Sequence, residues 1–135
     1  MSQHDLAILG AQVIDGTGAL TYAADVYVRG DRISAIRPPG TAEAASEVVR
    51  AEGLTLTPGF IDVHTHDDMA LIHTPDMRAK VSQGVTTVIT GLCGYSPAPL
   101  PKGAVLPEEY GILIPEGGQT FERFTEYLGA VDAAR

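Results

Sequence analysis

The sequence has no tryptophan, a single cysteine and an aromatic content of only 6% over its 135 residues. One thiol, Cys93, excludes an internal disulfide, so its value lies in packing or in thiolate chemistry. Positive charge is also scarce. The net charge is −8, with no basic stripe, which argues against nucleic acid or an anionic membrane surface as partner and favours a small-molecule ligand. No apolar run approaches the roughly 20 residues needed to span a bilayer. The start Met1-Ser2-Gln3-His4-Asp5 lacks the basic and apolar parts of a signal peptide, so the expected compartment is cytoplasmic. Internal repeats and low-complexity tracts are missing as well, and the 44% apolar content is ordinary for a globular protein.

What is present divides near Gly53. Residues 1–53 hold short β-rich pieces at 6–9, 12–14, 25–29, 32–36 and 48–50, punctuated by turn residues. Gly30-Asp31 reads as a tight hairpin connection and Pro38-Pro39-Gly40 as a strand stop. This is the N-terminal portion of a small antiparallel β domain, with too few large side chains to form a core unaided. Residues 54–135 alternate strand, helix and strand, the α/β signature of a parallel sheet. Their strands are expected at 60–64 and 85–90. Between them a helix is expected with Thr74 as cap, Pro75 in the first position and Gly84 after its end. The stretch 97–118 is rich in proline and glycine and reads as a long loop of the kind that shapes binding sites. A last helix is expected after Thr120, with Phe121, Phe124, Leu128 and Val131 along one face.

The most informative segment is Phe60-Ile61-Asp62-Val63-His64-Thr65-His66-Asp67-Asp68. Side chains alternate across a strand, so His64 and His66 leave the same face about 7 Å apart and can converge on one ion. Imidazole suits Zn²⁺ and other borderline divalent cations, and a strand end leaves a coordination position open for water. Cys93 falls just past the second strand, between glycine-rich turns, where a divalent ion would deprotonate it. Asp67 and Asp68 are open to three roles: orienting a ligand imidazole, contacting substrate or starting the next helix. Asp62 shares the strand face of His64. His73 reads as a surface histidine, and His4 as an uninformative terminal one. Asp15-Gly16-Thr17-Gly18 is a turn rather than a phosphate loop, because no third glycine or helix follows. Gly94-Tyr95-Ser96-Pro97 lacks the last glycine of a serine nucleophile elbow.

These residues resemble the amidohydrolase superfamily, whose members carry an HxH motif at the end of the first barrel strand. A closer resemblance is to the D-aminoacylase (N-acyl-D-amino-acid deacylase) group, in Gly16-Thr17-Gly18, His64 to Asp68, Ser82-Gln83-Gly84-Val85-Thr86-Thr87 and Cys93-Gly94-Tyr95-Ser96. Most amidohydrolases bridge their metals with a carboxylated lysine or an acidic residue; this group uses a cysteine after strand two, which matches Cys93. The group usually has asparagine before that cysteine, where this chain has Leu92. The resemblance implies an α/β fold, part of a (β/α)₈ TIM-like metal-dependent hydrolase barrel preceded by a small antiparallel β-sheet (β-sandwich) domain. It implies zinc as cofactor and His64, His66 and Cys93 as metal ligands, the two histidines forming the weaker metal position and Cys93 helping to hold the catalytic zinc with two histidines from later barrel strands, outside this chain. The catalytic aspartate and the substrate-gripping residues are expected beyond this chain, because a closed barrel takes about 250 residues.

The function implied is hydrolysis of an N-acyl-D-amino acid, a small linear amide, to a carboxylate and a D-amino acid, with the chain inactive by itself. Two alternatives stand beside it. One is a non-catalytic metal-binding or structural piece completed by another polypeptide or by self-association. The other is a cyclic-amide hydrolase of the hydantoinase or dihydroorotase kind, against which the thiol counts.

Overall fold

The computed structural model describes residues 3–114 and 118–134. They form two compact units, Met1–Pro58 and Gly59–Arg135. The first is a sheet of β1 (His4–Val13), β2 (Tyr22–Arg29), β3 (Arg32–Arg37), β4 (Ala45–Arg50) and the short β5 (Thr55–Leu56). The strand order is β3-β2-β1-β4, with β5 also against β1. The expected antiparallel pattern holds for β1, β2 and β3. β4 and β5 instead run parallel to β1, so the sheet is mixed. After the stop at Pro38-Pro39-Gly40 the chain returns from one sheet edge to the other, and such a crossover delivers a strand in parallel orientation.

The pieces expected at 6–9 and 12–14 are one strand. Gly10, at φ +74°, absorbs a bulge, and the register steps from Ile8 opposite Val26 to Ala11 opposite Ala24. Asp25 fills the gap this creates. Its carboxylate, 2% exposed, accepts Gly10 N–H at 2.7 Å and Gly40 N–H at 2.8 Å. Around it Ala24, Val26 and Tyr27 are all buried, as befits a central strand covered on both faces. Ala7, Tyr27 and Ala35 pack in one cluster, Val13, Ala24 and Val26 in another. His4 belongs to this core despite its place near the terminus. It is 4% exposed and bonded to Ser34 Oγ at 2.8 Å and Glu43 Oε2 at 2.7 Å. His4 first, and Arg37 after it, hold the Glu43 carboxyl below its ordinary range.

The second unit comprises β6 (Phe60–Thr65), α1 (Ala70–His73), α2 (Arg78–Val81), β7 (Val85–Thr90), a 3-10 turn at Glu108–Ile112 and α3 (Phe124–Ala133). β6 and β7 pair in parallel, with Phe60 opposite Val85 and Thr65 opposite Thr90. Of the helix expected from Pro75 to Gly84 only α2 is helical, and a separate short helix, α1, precedes Pro75. Thr74 closes α1 rather than opening a helix, its N–H donating to Ala70 O at 2.8 Å, and Pro75-Asp76 turn the chain before α2 begins. Threonine and proline mark a helix end as readily as a start, which is why the signal misleads. α3 is capped by Arg123 rather than Thr120, and its expected face holds in part: Phe121, just before it, is buried and Val131 packs beside Phe121 and Tyr127, whereas Phe124 and Leu128 stay about half exposed.

Gly59, just before β6, sits against β7. A Cβ there would lie 2.0 Å from Thr86 Oγ1, 2.4 Å from Thr86 Cγ2 and 2.7 Å from Thr86 Cβ. Rotation of Thr86 clears the first two but leaves the third, so the strands must part. Gly59→Ala is expected to cost about 3 kcal/mol, and Thr86→Gly in the same chain to restore most of it. Urea midpoints for the single and double variants test this; an unchanged midpoint for Gly59→Ala disproves the close approach.

Candidate metal centre

β6 ends with Thr65, and the turn that follows leaves the two imidazoles tilted toward each other, ring centroids 5.7 Å apart. The parallel partner β7 ends alongside, and the chain beyond it folds back through a turn in which Gly94 N–H donates to Gly91 O at 3.0 Å. Gly94 itself has φ +86°, a conformation glycine adopts without strain. That turn lifts Cys93 to within 3.8 Å of His66, Sγ to Nε2. The donor atoms of His64, His66 and Cys93 all lie within 4.8 Å of one another, and all three residues are exposed. At Zn–S and Zn–N bond lengths, two tetrahedral ligands stand about 3.6 Å apart. The group is therefore within a modest side-chain rotation of sharing one ion, and its two nitrogens and one sulfur suit zinc.

A cavity of about 400 Å³ opens beside the three residues, walled by Tyr95, Glu109 and Leu113. Tyr95 meets His66 edge-on at 6.1 Å and stacks on Tyr110 at 4.9 Å. Leu113 and Ile114 are buried with Met69, which ties the 3-10 turn to the start of α1. The stretch 97–118 thus contributes to the cavity, as its composition suggests. The particular residues Glu109 and Leu113 carry no sequence signal, since they reach the site only through this packing.

The acidic residues around the motif take separate roles. Lys80, on α2, bridges Asp62 at 2.7 Å and Asp67 at 2.9 Å and donates to Thr65 Oγ1 at 3.0 Å. Thr65 Oγ1 also donates to Asp67 at 2.5 Å. Lys80, and next the His64 N–H, hold the Asp62 carboxyl below its ordinary value, while Asp62 and then Asp67 push the Lys80 amine up. A depressed acid loses its stabilising share as pH falls through its folded value, and a raised amine as pH rises through its own. The Asp62–Lys80 pair therefore keeps its stabilising share above 3.8, the ordinary value of the aspartate, and below 10.5, that of the lysine, and it braces the base of the histidine strand.

Asp68 is different. It is fully buried at 0% exposure, and neither carboxylate oxygen has a hydrogen-bond partner among the described residues. Burial pushes its carboxyl up, offset in part by its own backbone, by the Thr90 and Ser96 hydroxyls beside it and by His66. Its main-chain carbonyl accepts the Tyr127 hydroxyl at 2.9 Å. Burial, and then the Asp68 charge, push that phenol up to about 12. His73 is exposed, and Asp15 accepts Thr17 N–H at 3.0 Å in a simple turn, both as expected.

The sequence profile described as "Amidohydrolase family" matches residues 47–132. A D-aminoacylase of Alcaligenes xylosoxydans xylosoxydans is 49% identical over 129 residues, covering 96% of this chain and 26% of that protein. Among solved structures, the N-acyl-D-glutamate deacylase of Bordetella bronchiseptica, complexed with zinc and a phosphonate inhibitor, superposes with a TM-score of 0.87 at 42% identity. That match covers 98% of this chain and 27% of the other. A D-aminoacylase described with a binuclear metal centre gives a TM-score of 0.87 at 47% identity, over 97% of this chain and 27% of the other. The chain spans about a quarter of the length of these relatives. On these matches the chain belongs to the amidohydrolase family and to its D-aminoacylase group, whose N-terminal portion it resembles.

Proposed function

We propose that this chain is the N-terminal portion of a zinc-dependent N-acyl-D-amino-acid deacylase of the cytoplasm, hydrolysing a linear amide to a carboxylate and a D-amino acid. The observation that carries the reading is the approach of Cys93 to His66 at 3.8 Å across 27 residues of sequence. In this reading residues 1–53 begin the small β domain and 54–135 supply the first βα units of the barrel. Phe60, Ile61 and Val63 are each more than half exposed on a two-stranded parallel sheet, and parallel strands are ordinarily covered on both faces. Further barrel strands would cover them.

His64, His66 and Cys93 would hold the metal, the imidazoles neutral and the thiol as thiolate. Zinc, when bound, supplies Lewis acidity toward the scissile amide. Asp62, Asp67 and Lys80 keep the histidine strand in place. Tyr95 and Leu113 give the adjoining cavity apolar walls that shed water from a bound acyl group. The aspartate that moves the proton to the leaving amine would come from sequence outside these residues.

The test is a chimera in which this chain replaces the matching portion of the Alcaligenes D-aminoacylase. It is expected to release D-amino acid from an N-acetyl-D-amino acid while sparing the L-isomer and hydantoins; the isolated chain with zinc is expected to hydrolyse none of the three. A folded, zinc-loaded chimera that turns over only a cyclic amide, or nothing, defeats the proposal.

A further inference from the structure

The pairing of β6 with β7 is irregular where the first histidine sits. Asp62 lies opposite Val88 and Thr65 opposite Thr90, so three steps along β6 answer two along β7 and the extra residue falls at Val63-His64. A bulge of this kind bends its strand and re-aims a side chain, but it also takes the bulged residues out of the ladder that would otherwise fix them. Val63 and His64 are both exposed, which leaves little packing to hold them in its place. Lys80 spans the gap. From α2 its ammonium reaches Asp62 Oδ2 at 2.7 Å before the bulge, and Asp67 Oδ2 at 2.9 Å and Thr65 Oγ1 at 3.0 Å after it. An ammonium has three N–H donors, and each finds an acceptor here. Asp62 carries the hold to the histidine itself, since its other oxygen accepts the His64 N–H at 3.3 Å. Beyond the bulge, the hydroxyl of the buried Thr65 donates to Asp67, so the two later anchors are tied to each other.

We propose that Lys80 is the positioning residue of the metal centre, a staple across the β6 bulge that sets the direction in which His64 and His66 meet an ion. The inference rests on the metal-centre reading above and deepens it. A ring nitrogen bonds a metal along one direction only, so imidazoles on an unpinned bulge must be ordered each time an ion arrives. With the staple in place that ordering is done on folding, and the ion meets a preformed pair whose rings already stand 5.7 Å apart. Asp62 and Asp67 act as anchors for the ammonium rather than as metal ligands. Because the ion pairs are partly exposed, their loss should weigh little on overall stability and mainly on the order of this segment.

The experiment compares the 135-residue chain with Lys80→Met, which keeps the apolar stem and removes the ammonium, and with Lys80→Arg, which keeps the charge and its donors. Zinc is titrated in competition with a chromophoric chelator, and melting and ¹⁵N relaxation are followed without metal. Lys80→Met is expected to weaken zinc binding about tenfold, with the metal-free melting temperature nearly unchanged. Its Val63 and His64 amides are expected to fall from the rigid order-parameter range of about 0.85 toward about 0.6, while those of β1 and β2 hold. Lys80→Arg is expected to recover most of both losses. Zinc affinity within about twofold of the unsubstituted chain for Lys80→Met overturns the inference, and so does a loss that Lys80→Arg does not recover or that tracks a lowered melting temperature. Should Lys80→Met not fold, Asp67→Ala removes one anchor and leaves the Asp62 bond; unchanged zinc affinity and His64 order in that variant overturn the inference. The two readings fail separately. An unsubstituted chain that takes up no zinc defeats the metal centre and the staple's purpose with it, whereas intact zinc binding with a rigid His64 in Lys80→Met defeats the staple alone.

Discussion

Cys93→Ser is expected to lower the zinc affinity of the chain by at least about 100-fold, exceeding what an outer partner of a ligand is worth. The substitution changes the size of the side chain little but removes the whole of the ligand's charge. A thiolate is available near neutral pH beside a divalent ion, whereas a serine hydroxyl stays protonated and is a poor zinc donor. His66→Ala is expected to match it, because the 3.8 Å contact joins these two residues directly. Chelator competition reads both. The exposed thiol offers a second readout, since zinc should slow its alkylation by iodoacetamide and His66→Ala should abolish that protection. Equal alkylation rates with and without zinc in the unsubstituted chain would remove Cys93 from the metal centre.

Asp25→Ala is expected to be the most damaging single change in the first unit. It leaves the Gly10 and Gly40 N–H groups without their acceptor inside a core of Ala24, Val26 and Tyr27. At about 1–3 kcal/mol for each buried orphaned donor, the loss is about 2–6 kcal/mol, enough to unfold a small sheet domain. Asp25→Asn keeps one acceptor oxygen and should fall between. Urea denaturation followed by far-UV circular dichroism measures both. If Asp25→Ala melts within error of the unsubstituted chain, the carboxylate does not hold the bulge.

The two residues differ in how visible they are beforehand. Cys93 is legible because β7 is an almost unbroken run of β-branched residues, which fixes where the strand ends and so where the thiol begins its turn. Asp25 gives no such sign. An aspartate in a strand ordinarily faces water, and its burial here depends on Gly10 and Gly40, each fifteen residues away, turning their N–H groups to one point. Asp68 hides for a similar reason: an aspartate at the end of a polar run is fully buried among segments distant in sequence, with Tyr127 of α3 donating to its carbonyl. The buried face of α3 escapes the sequence on the same ground. Spacing of three and four suits Phe124 and Leu128 as well as Tyr127, and only the neighbour that arrives decides which side is covered.

Alternation along β6 pointed, from the chain alone, to His64 and His66 emerging close together, although β6 ends at Thr65 and the chain beyond it completes the approach. The β-branched run of β7 likewise settled that a second strand stops just short of Cys93. Tertiary structure decided the rest. That the two strand ends are neighbours, that Lys80 clamps Asp62 and Asp67, that Asp25 and Asp68 are buried, and that β4 joins its sheet in parallel all depend on contacts between distant segments. Local backbone preference carries no information about which partner a strand or carboxylate will meet.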